Sequence, residues 1–285
     1  MEILLVSIIL ILLVAIFLVW QNTDIIVNNI NVKSDKIPSS FDGFVIVQVS
    51  DLHNTELGKG NVNLLEKIRS QNPDIIVITG DLIDRRRYNL EVAMNFISEA
   101  LKIANVYYVN GNHEGWSNKY DEIVTALQKT DVINLSDDSV LLEKDGRGIK
   151  LLGLSDPSFY SEEYSHTVNT DNMVKNINKH SGSEYYEILL SHRPDLINIY
   201  SKYEVDLVFC GHAHGGQIRI PFIGGIIAPN QGFFPKYTSG MHTVKNTKMI
   251  VSRGLGNSLF PFRIFNRPEI VVAKLIKEKN ESSSQ

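Results

Sequence analysis

Residues 45–53 read VIVQVSDLH, an apolar and β-branched run that ends on an aspartate and a histidine. Four later runs also end on side chains that can bind metals: residues 75–84 read IIVITGDLID, 106–114 VYYVNGNHE, 188–192 ILLSH and 207–214 LVFCGHAH. Together the five runs hold five of the eight histidines. Ligands of α/β sheets gather at the carboxyl ends of the strands. The sequence therefore predicts one site, assembled from distant parts of the chain.

The side chains at these strand ends combine carboxylates, an amide oxygen and imidazoles. Asp51 and His53 are two residues apart, so on a strand both would point to the same side. Asp81 follows a glycine, which allows a sharp turn of the backbone, and its two oxygens could bridge two ions. The remaining candidate ligands are Asn112, His192, His212 and His214. This mixture suits two divalent cations of the Mn, Fe, Zn or Mg kind.

A purely structural role is the alternative for each of these residues taken alone. Aspartate and histidine are seldom buried without a partner, however, so core packing does not explain five such placements. The single cysteine, Cys210, ends an apolar run and is predicted to be a small buried hydrophobe rather than a functional thiol.

Strand and helix patterns alternate from residue 41 to about residue 215. Helical spacing of apolar residues marks segments around 64–68, 92–101, 123–127 and 171–179, and a further helix should follow Pro194. Residues 139–153 have the pattern of a hairpin that turns at Asp145-Gly146. The later part is rich in β patterns, near 243–252 and 270–276. This order predicts an α/β fold in which mixed sheets pack together with helices outside.

Length and charge restrict the functional classes. A chain of 285 residues with a net charge of −4 fits one domain plus an anchor. It lacks the basic footprint of a nucleic-acid-binding protein. With one cysteine, the chain cannot form an intrachain disulfide, which is compatible with the cytoplasm and with a domain outside the membrane.

Residues 1–20 are predicted to form a transmembrane anchor. The run from Ile3 to Trp20 has no charge, and about 18 helical residues cover most of a bilayer core. A cleavable signal peptide is the alternative, but Glu2 replaces a basic n-region and no small-residue cleavage site follows. The flanking charges do not assign the side of the membrane. Residues 21–40 are predicted to be a linker, either a tether or a first edge strand, and residues 277–285 a polar, flexible tail.

The five blocks resemble the calcineurin-like metallophosphoesterase superfamily, whose pattern is D-x-H, G-D-x-x-D, G-N-H-[DE], a single H, and G-H-x-H. All five are present in order from residue 51 to residue 214. The late runs SRGLG at 252–256 and RPE at 267–269 resemble a membrane-associated bacterial branch of phosphodiesterases, related to enzymes that split UDP-2,3-diacylglucosamine. The resemblance covers nearly all of residues 41–276.

The resemblance implies a four-layer α/β/β/α sandwich with two mixed sheets, and two metal sites that share Asp81. The first site would take Asp51, His53, Asp81 and His214, and the second Asp81, Asn112, His192 and His212. Such a pair activates a water for attack on a phosphoester. His113 would then assist the leaving oxygen. Asp84 would either orient His113 or be a turn carboxylate. Glu114 is expected to be solvated rather than to orient the substrate.

Two features near the blocks have alternative interpretations. Residues 221–235, with Phe222, Ile223, Phe233 and Phe234, and the segment at 260–265 are expected to be core under a long loop. The alternative is an apolar wall that accepts a lipid tail or rests on the bilayer. Residues 85–87, three arginines, could bind an anionic group, but solvated surface is the expected role.

The predicted function is that of a metal-dependent phosphodiesterase or pyrophosphatase, anchored by a single pass in the cell membrane. Its cofactors would be two divalent ions, Mn²⁺ first, with Fe²⁺, Zn²⁺ or Mg²⁺ as alternatives. Its partner would be a phosphate-ester substrate, lipid-linked or from the cell envelope. A phosphoesterase that acts on nucleotides, nucleic acid or phosphoproteins is the closer alternative, and a non-catalytic metal-binding scaffold is the remote one.

Overall fold

The computed structural model describes residues 1–161, 168–257 and 260–279. Residues 280–285 of the predicted tail and His166 lie outside these ranges. The helices are α1 (Glu2–Thr23), α2 (Val62–Arg69), α3 (Leu90–Leu101), α4 (Asn112–Gly115), α5 (Tyr120–Leu127), α6 (Asp171–His180) and α7 (Ile197–Lys202). The five helical patterns predicted after residue 41 correspond to α2, α3, α5, α6 and α7.

The first sheet has six strands in the order β1-β16-β2-β3-β4-β5. These are β1 (Ile26–Ser34), β2 (Val45–Val49), β3 (Ile75–Thr79), β4 (Asn105–Val109), β5 (Ile133–Asn134) and β16 (Glu269–Lys277). Strands β2 to β5 run parallel, and β16 is antiparallel to β2. The carboxyl ends of β2, β3 and β4, which carry three of the five blocks, therefore meet at one edge of the sheet.

The second sheet has six strands in the order β14-β15-β9-β8-β7-β6. These are β6 (Ser139–Lys144), β7 (Arg147–Gly153), β8 (Tyr186–Leu190), β9 (Leu207–Cys210), β14 (Gly240–Val244) and β15 (Thr247–Val251). Strands β7, β8, β9 and β15 run parallel, and the predicted hairpin is the antiparallel pair β6–β7. Two short hairpins separate β9 from β14: β10 (Arg219–Ile220) with β11 (Gly224–Gly225), and β12 (Ile227–Ala228) with β13 (Gly232–Phe233).

The two sheets pack face to face, with helices on both outer sides. Strand alternation decides which residues enter which layer: Val77 of β3 packs with Ile188 of β8 between the sheets. Its neighbour Ile76 faces Phe96 of α3 on one outer side. Leu189 faces Ile197 of α7 on the other outer side. The predicted four-layer α/β/β/α sandwich is confirmed.

The N-terminal segment is more ordered than a tether. Of the two alternatives for residues 21–40, the structure has the edge strand, because β1 runs parallel to β16 from Ile26 opposite Glu269 to Ser34 opposite Lys277. The sheet therefore takes in residues before the boundary predicted at residue 41. In the described ranges, α1 is the one helix that is long and apolar enough to cross a membrane, by length and composition alone. Cys210 is buried and unpaired, as predicted.

Candidate metal centre

The sandwich brings the candidate ligands together at the carboxyl ends of strands from both sheets. Asp51 and His53 follow β2, Asp81 follows β3, Asn112 follows β4, His192 follows β8, and His212 and His214 follow β9. All seven side chains are buried. The backbone has no room for larger residues here: a Cβ on Gly111 would lie 2.4 Å from Asp81 Oδ1, and one on Gly80 would lie 2.6 Å from His192 Nδ1. The two glycines therefore allow the strand ends to approach each other.

The first group of ligand atoms comes from Asp51, His53, Asp81 and His214, all within 4.8 Å of one another. Nε2 of His53 lies 3.2 Å from Nε2 of His214 and 3.6 Å from Oδ2 of Asp81. Nε2 of His214 lies 3.3 Å from Oδ1 of Asp51. The four residues that the resemblance assigns to a first metal therefore face a common centre.

The second group comes from Asp81, His192 and His212, again within 4.8 Å. Nε2 of His192 lies 3.3 Å from the same Oδ2 of Asp81, 3.1 Å from Oδ1 of Asn112 and 3.1 Å from Nδ1 of His212. Asp81 Oδ2 is therefore the atom that both groups share, and Asn112 joins the second group.

The hydrogen bonds around the second group leave acceptor atoms of neighbouring side chains facing one another. His192 Nδ1 lies 2.8 Å from the carbonyl oxygen of Thr79, so this nitrogen carries a proton and Nε2 is the free acceptor. His212 Nε2 lies 3.2 Å from Asn230 Oδ1, which in the same way leaves Nδ1 free. With His192 neutral, these two acceptors and the carbonyl oxygen of Asn112 converge without a proton between them. A cation satisfies this arrangement, so the residues present fit a divalent metal ion.

The electrostatics favour the protonation states that bind metals. Burial lowers the pKa of His214 to about 4. Burial and the His113 charge lower the pKa of His53 well below its usual value, and burial and the Arg193 charge do the same for His212. Burial raises the pKa of Asp81, but the charges of His192 and His113 lower it by a larger amount. The pKa of Asp81 therefore lies well below its usual value. Neutral imidazoles and an ionised carboxylate are the forms that coordinate a cation.

His192 is the exception among the imidazoles. Burial alone would lower its pKa, but the charge of Asp81 and the hydrogen bond to that carboxylate raise it to about 10. Without another cation, the carboxylates therefore attract a proton to His192. A divalent ion would supply the same positive charge in its place.

His113 and Asp84 lie next to the first group. The rings of His53 and His113 meet edge to face, with centroids 4.3 Å apart. Nδ1 of His113 lies 3.5 Å from Asp84 Oδ1 and accepts the backbone N–H of Arg85 at 3.3 Å. The carboxylate of Asp84 also accepts two hydrogen bonds, one from the backbone N–H of Arg86 at 2.9 Å and one from the Nε–H of Arg87 at 2.8 Å. Asp84 therefore lies beside His113 and also accepts hydrogen bonds from its own turn.

Glu114 corrects one expectation, because it is fully buried rather than solvated. Its carboxylate accepts the backbone N–H groups of Gly111 at 2.7 Å, Leu82 at 2.8 Å, Asp81 at 2.9 Å and Ile83 at 3.2 Å. Burial and the charge of Asp81 raise its pKa to about 7. Glu114 therefore ties the turn after β3 to the turn after β4, and these turns carry Asp81 and Asn112.

A buried ion pair behind the second group was not predicted from the sequence. Arg193 donates from Nε to Asp156 Oδ2 at 2.8 Å and from Nη2 to Asp156 Oδ1 at 3.0 Å. Its Nη1 donates to Asn230 Oδ1 at 3.0 Å, the same oxygen that lies 3.2 Å from His212. The position of Arg193 directly after His192 is the one sequence signal that could have drawn attention to it.

The structure describes both features that had alternative interpretations, the three arginines at 85–87 and the apolar segments. Two of the arginines contact neighbouring side chains: Arg87 pairs with Asp84 at 2.8 Å, and the guanidinium of Arg85 lies over the ring of Trp116 at 5.3 Å. The expectation that the apolar segments are core is wrong for most of their large side chains. Phe222, Ile223, Phe233, Phe234, Phe262 and Phe265 are exposed.

Comparison with known proteins identifies the family of this site. A family model described as calcineurin-like phosphoesterase matches residues 44–216. Metallophosphoesterase YkuE of Bacillus subtilis is 33% identical over 251 residues, which cover 86% of this chain and 83% of YkuE. Phosphodiesterase YaeI of Escherichia coli is 24% identical over 209 residues, 72% of each chain. A transmembrane protein with a metallophosphoesterase domain from Bos taurus is 25% identical over 256 residues, 86% of this chain and 55% of that protein.

The matched range contains every strand end that contributes to the two groups of ligand atoms. YkuE matches beyond this range, over most of both chains. The family match agrees with the fold of two mixed sheets. It also agrees with the buried cluster of histidine and aspartate side chains. The chain belongs to the calcineurin-like phosphoesterase family and is a metal-dependent hydrolase of phosphoesters.

Proposed function

We propose that this protein is a membrane-anchored phosphodiesterase or pyrophosphatase that uses two metal ions and acts on a lipid-linked or cell-envelope substrate. The use of two metal ions is supported by the position of Asp81 Oδ2, which both groups of ligand atoms share. This oxygen lies 3.6 Å from His53 Nε2 on one side and 3.3 Å from His192 Nε2 on the other. Mn²⁺ is the first candidate for both positions, because the ligands combine hard oxygen and borderline nitrogen atoms.

Four side chains would hold each of the two metal ions. Asp51, His53, Asp81 and His214 would hold the first ion, and Asp81, Asn112, His192 and His212 the second. Ions held there would supply positive charge that lowers the pKa of a water and neutralises the phosphate oxygens. The chain fixes the orientation of the second group through Thr79 and Asn230, which accept from the outer nitrogens of His192 and His212.

His113 is the proposed proton donor to the leaving oxygen. When the ring is neutral, Nδ1 accepts the N–H of Arg85, so the proton is on Nε2. When the ring is charged, Nδ1 faces Asp84 and Nε2 keeps its proton. Nε2 therefore carries a proton in both states and is available to a substrate at the edge of the cluster. Asp84 would act by positioning His113.

The substrate class rests on the surroundings of the cluster. The apolar helix α1 makes a single-pass membrane location our proposal, and the exposed apolar side chains lie on the loops that follow the last ligand. YaeI is named a phosphodiesterase, and the Bos taurus relative is named a transmembrane protein. These observations favour a phosphoester at a membrane over a free nucleotide or a phosphoprotein. The kinship with hydrolases of UDP-diacylglucosamine stays a prediction.

Hydrolysis of bis-p-nitrophenyl phosphate tests the activity. The full chain in detergent micelles is the correct protein to use, because a truncation at residue 41 would remove β1 from its sheet. We expect turnover with Mn²⁺ and its loss in EDTA. Absence of turnover with Mn²⁺, Zn²⁺, Fe²⁺ and Mg²⁺ alike would contradict the proposal.

Two substitutions separate the proposed roles at neighbouring positions. Asn112→Ala should weaken Mn²⁺ binding, because it removes an oxygen of the second group. His113→Ala should leave Mn²⁺ bound and slow turnover by about 10²–10⁴-fold, the usual contribution of a general acid. His180→Ala is the control, since His180 bonds to Ser139 at 3.0 Å, away from both groups. If His113→Ala releases the metal, the assignment of His113 is wrong.

The substrate class needs its own comparison. Rates on a lipid pyrophosphate, on a dinucleotide diester and on a phosphopeptide, all measured with the full chain and Mn²⁺, would rank the alternatives. The proposal expects the highest kcat/KM on the lipid pyrophosphate. A higher value on the dinucleotide or the phosphopeptide would favour the alternative functions instead.

A further inference from the structure

One part of the surface is apolar without any covering protein segment among the described residues. It consists of the side chains of Phe222, Ile223, Phe233, Phe234, Phe262 and Phe265, which we name the apolar face. Their exposed fractions run from 48% for Phe262 and 52% for Phe265 to full exposure for Phe222. Soluble surfaces seldom gather aromatic side chains in this way, and such patches mark interaction sites.

The segments that carry the apolar face are joined to one another. The N–H of Arg219 donates to the carbonyl of Ile264 at 3.0 Å, which connects the β10–β11 hairpin to the segment of Phe265. Phe265, Phe222 and Ile223 line one surface hollow. The N–H of Phe234 donates to the carbonyl of Ile226 at 2.8 Å and closes the β12–β13 hairpin beside them. The N–H of Ile226 donates to the carbonyl of Ile218 at 2.9 Å, so both hairpins and the segment of Phe265 are linked through the backbone.

The end of α1 shows how deep the apolar face would lie in a bilayer. Trp20 donates to Asp24 at 3.0 Å, and Arg267 pairs with Asp24 at 3.3 Å and lies over the Trp20 ring at 4.9 Å. A Trp with paired charges marks the membrane–water interface. Phe17 is three residues deeper in the helix, about 4.5 Å along its axis. Its ring meets that of Phe265 with centroids 5.5 Å apart. Phe265 therefore lies beside the part of α1 that would enter the bilayer.

The connection between α1 and the domain is built from specific hydrogen bonds rather than a loose linker. Asn22 Oδ1 accepts the N–H of Arg263 at 2.9 Å and Nδ2 of Asn257 at 3.1 Å, and Gln21 Oε1 accepts the N–H of Asn266 at 3.3 Å. Gln21 is buried. The orientation of the helix relative to the apolar face is therefore fixed.

We infer that the apolar face is seated in the lipid monolayer from which α1 emerges, so that the domain rests on the bilayer instead of extending from it. The inference rests on the proposed membrane anchor. The bilayer is the occupant because the apolar face continues the lipid-exposed surface of α1 through the Phe17–Phe265 contact. A partner protein would have to share this surface with the acyl chains around the helix.

The seating has a consequence for the metal centre. Asn230, between β12 and β13, contacts His212, and Asn266, next to Phe265, donates to the carbonyl of His214 at 2.7 Å. The two segments that enter the monolayer therefore also border the ligands. Phosphoesters in the headgroup layer lie within reach of such a centre, whereas substrates free in water have no such advantage.

Depth-dependent quenching tests the seating. Ile223→Cys and Phe233→Cys, each labelled with nitrobenzoxadiazole, would be reconstituted as full chains in vesicles of phosphatidylcholine and phosphatidylglycerol, with or without brominated acyl chains. Cys210 is fully buried, so the introduced thiol is the one that reacts in the folded protein. Ile11→Cys in α1 reports the anchor. Glu143→Cys is the control, because Glu143 is exposed near the end of β6, at the turn into β7 and away from the carboxyl ends that form the site.

We expect brominated lipid to quench the labels at residues 223 and 233 to within about two-fold of the label at residue 11, with the residue 143 label unaffected, because interfacial side chains lie about 5–10 Å into the boundary. Quenching at 11 but not at 223 or 233 would overturn the inference and leave the anchor intact. Loss of quenching at 11 as well would instead overturn the anchor. If labels at 223 and 233 are shielded from aqueous iodide without lipid quenching, a second copy of the chain or another protein covers the face, and the inference fails. None of these readouts depends on hydrolysis.

Discussion

The buried pair between Asp156 and Arg193 gives the most quantitative prediction for this structure. Both side chains are almost fully buried, and the guanidinium donates two parallel hydrogen bonds, at 2.8 and 3.0 Å. Asp156→Asn keeps the size of the side chain but removes its charge. It also presents an NH₂ group to one of the two donors, so that one hydrogen bond becomes a contact between two donors.

The cost follows from what the substitution leaves behind. Breaking a buried ion pair by neutralising one partner typically costs about 3–5 kcal/mol, because the other charge stays buried without compensation. A domain of this size loses about 2–4 °C of thermal midpoint per kcal/mol. We therefore expect the midpoint to fall by roughly 6–20 °C. Glu99→Gln is the matched control, since it makes the same change in a surface pair with Lys102. It should cost about 0–1 kcal/mol.

The pH dependence provides a second measurement on the same variant. Burial raises the pKa of Asp156, but the charge of Arg193 lowers it by a larger amount. The pKa of Asp156 in the folded protein therefore lies below its ordinary value. The stabilisation is therefore present above the pKa of the unfolded chain, about 3.9. It is lost as the pH falls through the folded pKa. In thermal scans from neutral to acid pH, Asp156→Asn should lose less stability on acidification than the wild type. A midpoint shift no larger than that of Glu99→Gln, with an unchanged acid limb, would refute this reasoning.

Three further perturbations have definite expected outcomes. EDTA should lower the thermal midpoint of the wild type, since a metal at 100 times its Kd adds about 2.7 kcal/mol; a midpoint unaffected by EDTA would contradict a metal that binds the folded state. Asn230→Ala should weaken Mn²⁺ binding by about 10–100-fold in a titration, because His212 loses the group that orients it, and an unchanged affinity would rule out that role. Arg263→Met should lower the urea unfolding free energy by at least about 2 kcal/mol, because the carbonyls of Arg253, Gly256 and Asn266 lose a buried donor. A loss below that of Glu99→Gln would show that these carbonyls find other partners.

The ligand blocks were predictable because they depend on local sequence. An apolar run sets the strand, and the residues just after it must lie at the strand end, whatever the rest of the chain does. The helices of the outer layers were predictable for the same reason, since the spacing of residues such as Phe96 and Ile97 defines one face. The pairing of the two sheets followed from the family resemblance, because strand patterns do not specify which strands are neighbours.

Glu114 and the Asp156–Arg193 pair were not predictable because their partners are distant in sequence. Glu114 accepts backbone groups from a turn that is about thirty residues earlier, and backbone N–H groups have no sequence signature. Arg193 meets Asp156 37 residues away. In each case a charged residue would ordinarily be assigned to the surface, since charged side chains are almost never fully buried unless paired.

The apolar face was misjudged for a different reason. The expectation that Phe222 and Phe233 lie in the core assumes that water is the only solvent of the molecule. Beside a helix such as α1 the relevant solvent can be lipid, where aromatic side chains at the surface carry no penalty. The contact between Phe17 and Phe265 links the two surfaces, and no pattern within either segment reveals that contact.

The backbone of the metal centre explains why so many other residues support it. Five candidate ligands have left-handed backbone conformations, with φ of 51° at Asp51, 50° at His53, 52° at Asp81, 63° at His212 and 46° at His214. For residues other than glycine, this conformation costs roughly 1–2 kcal/mol each. Such residues persist only where the surrounding structure holds them in place.

The supporting contacts lie at these strained positions. Glu114 accepts the N–H of Asp81, and Asp51 accepts both the hydroxyl of Ser50 at 2.6 Å and the N–H of His212 at 3.1 Å. Glycines with no room for a Cβ stand beside the same turns. These bonds form within the chain itself and hold the strained turns that carry the ligand atoms. A metal ion would then meet a site whose backbone strain has already been offset by folding.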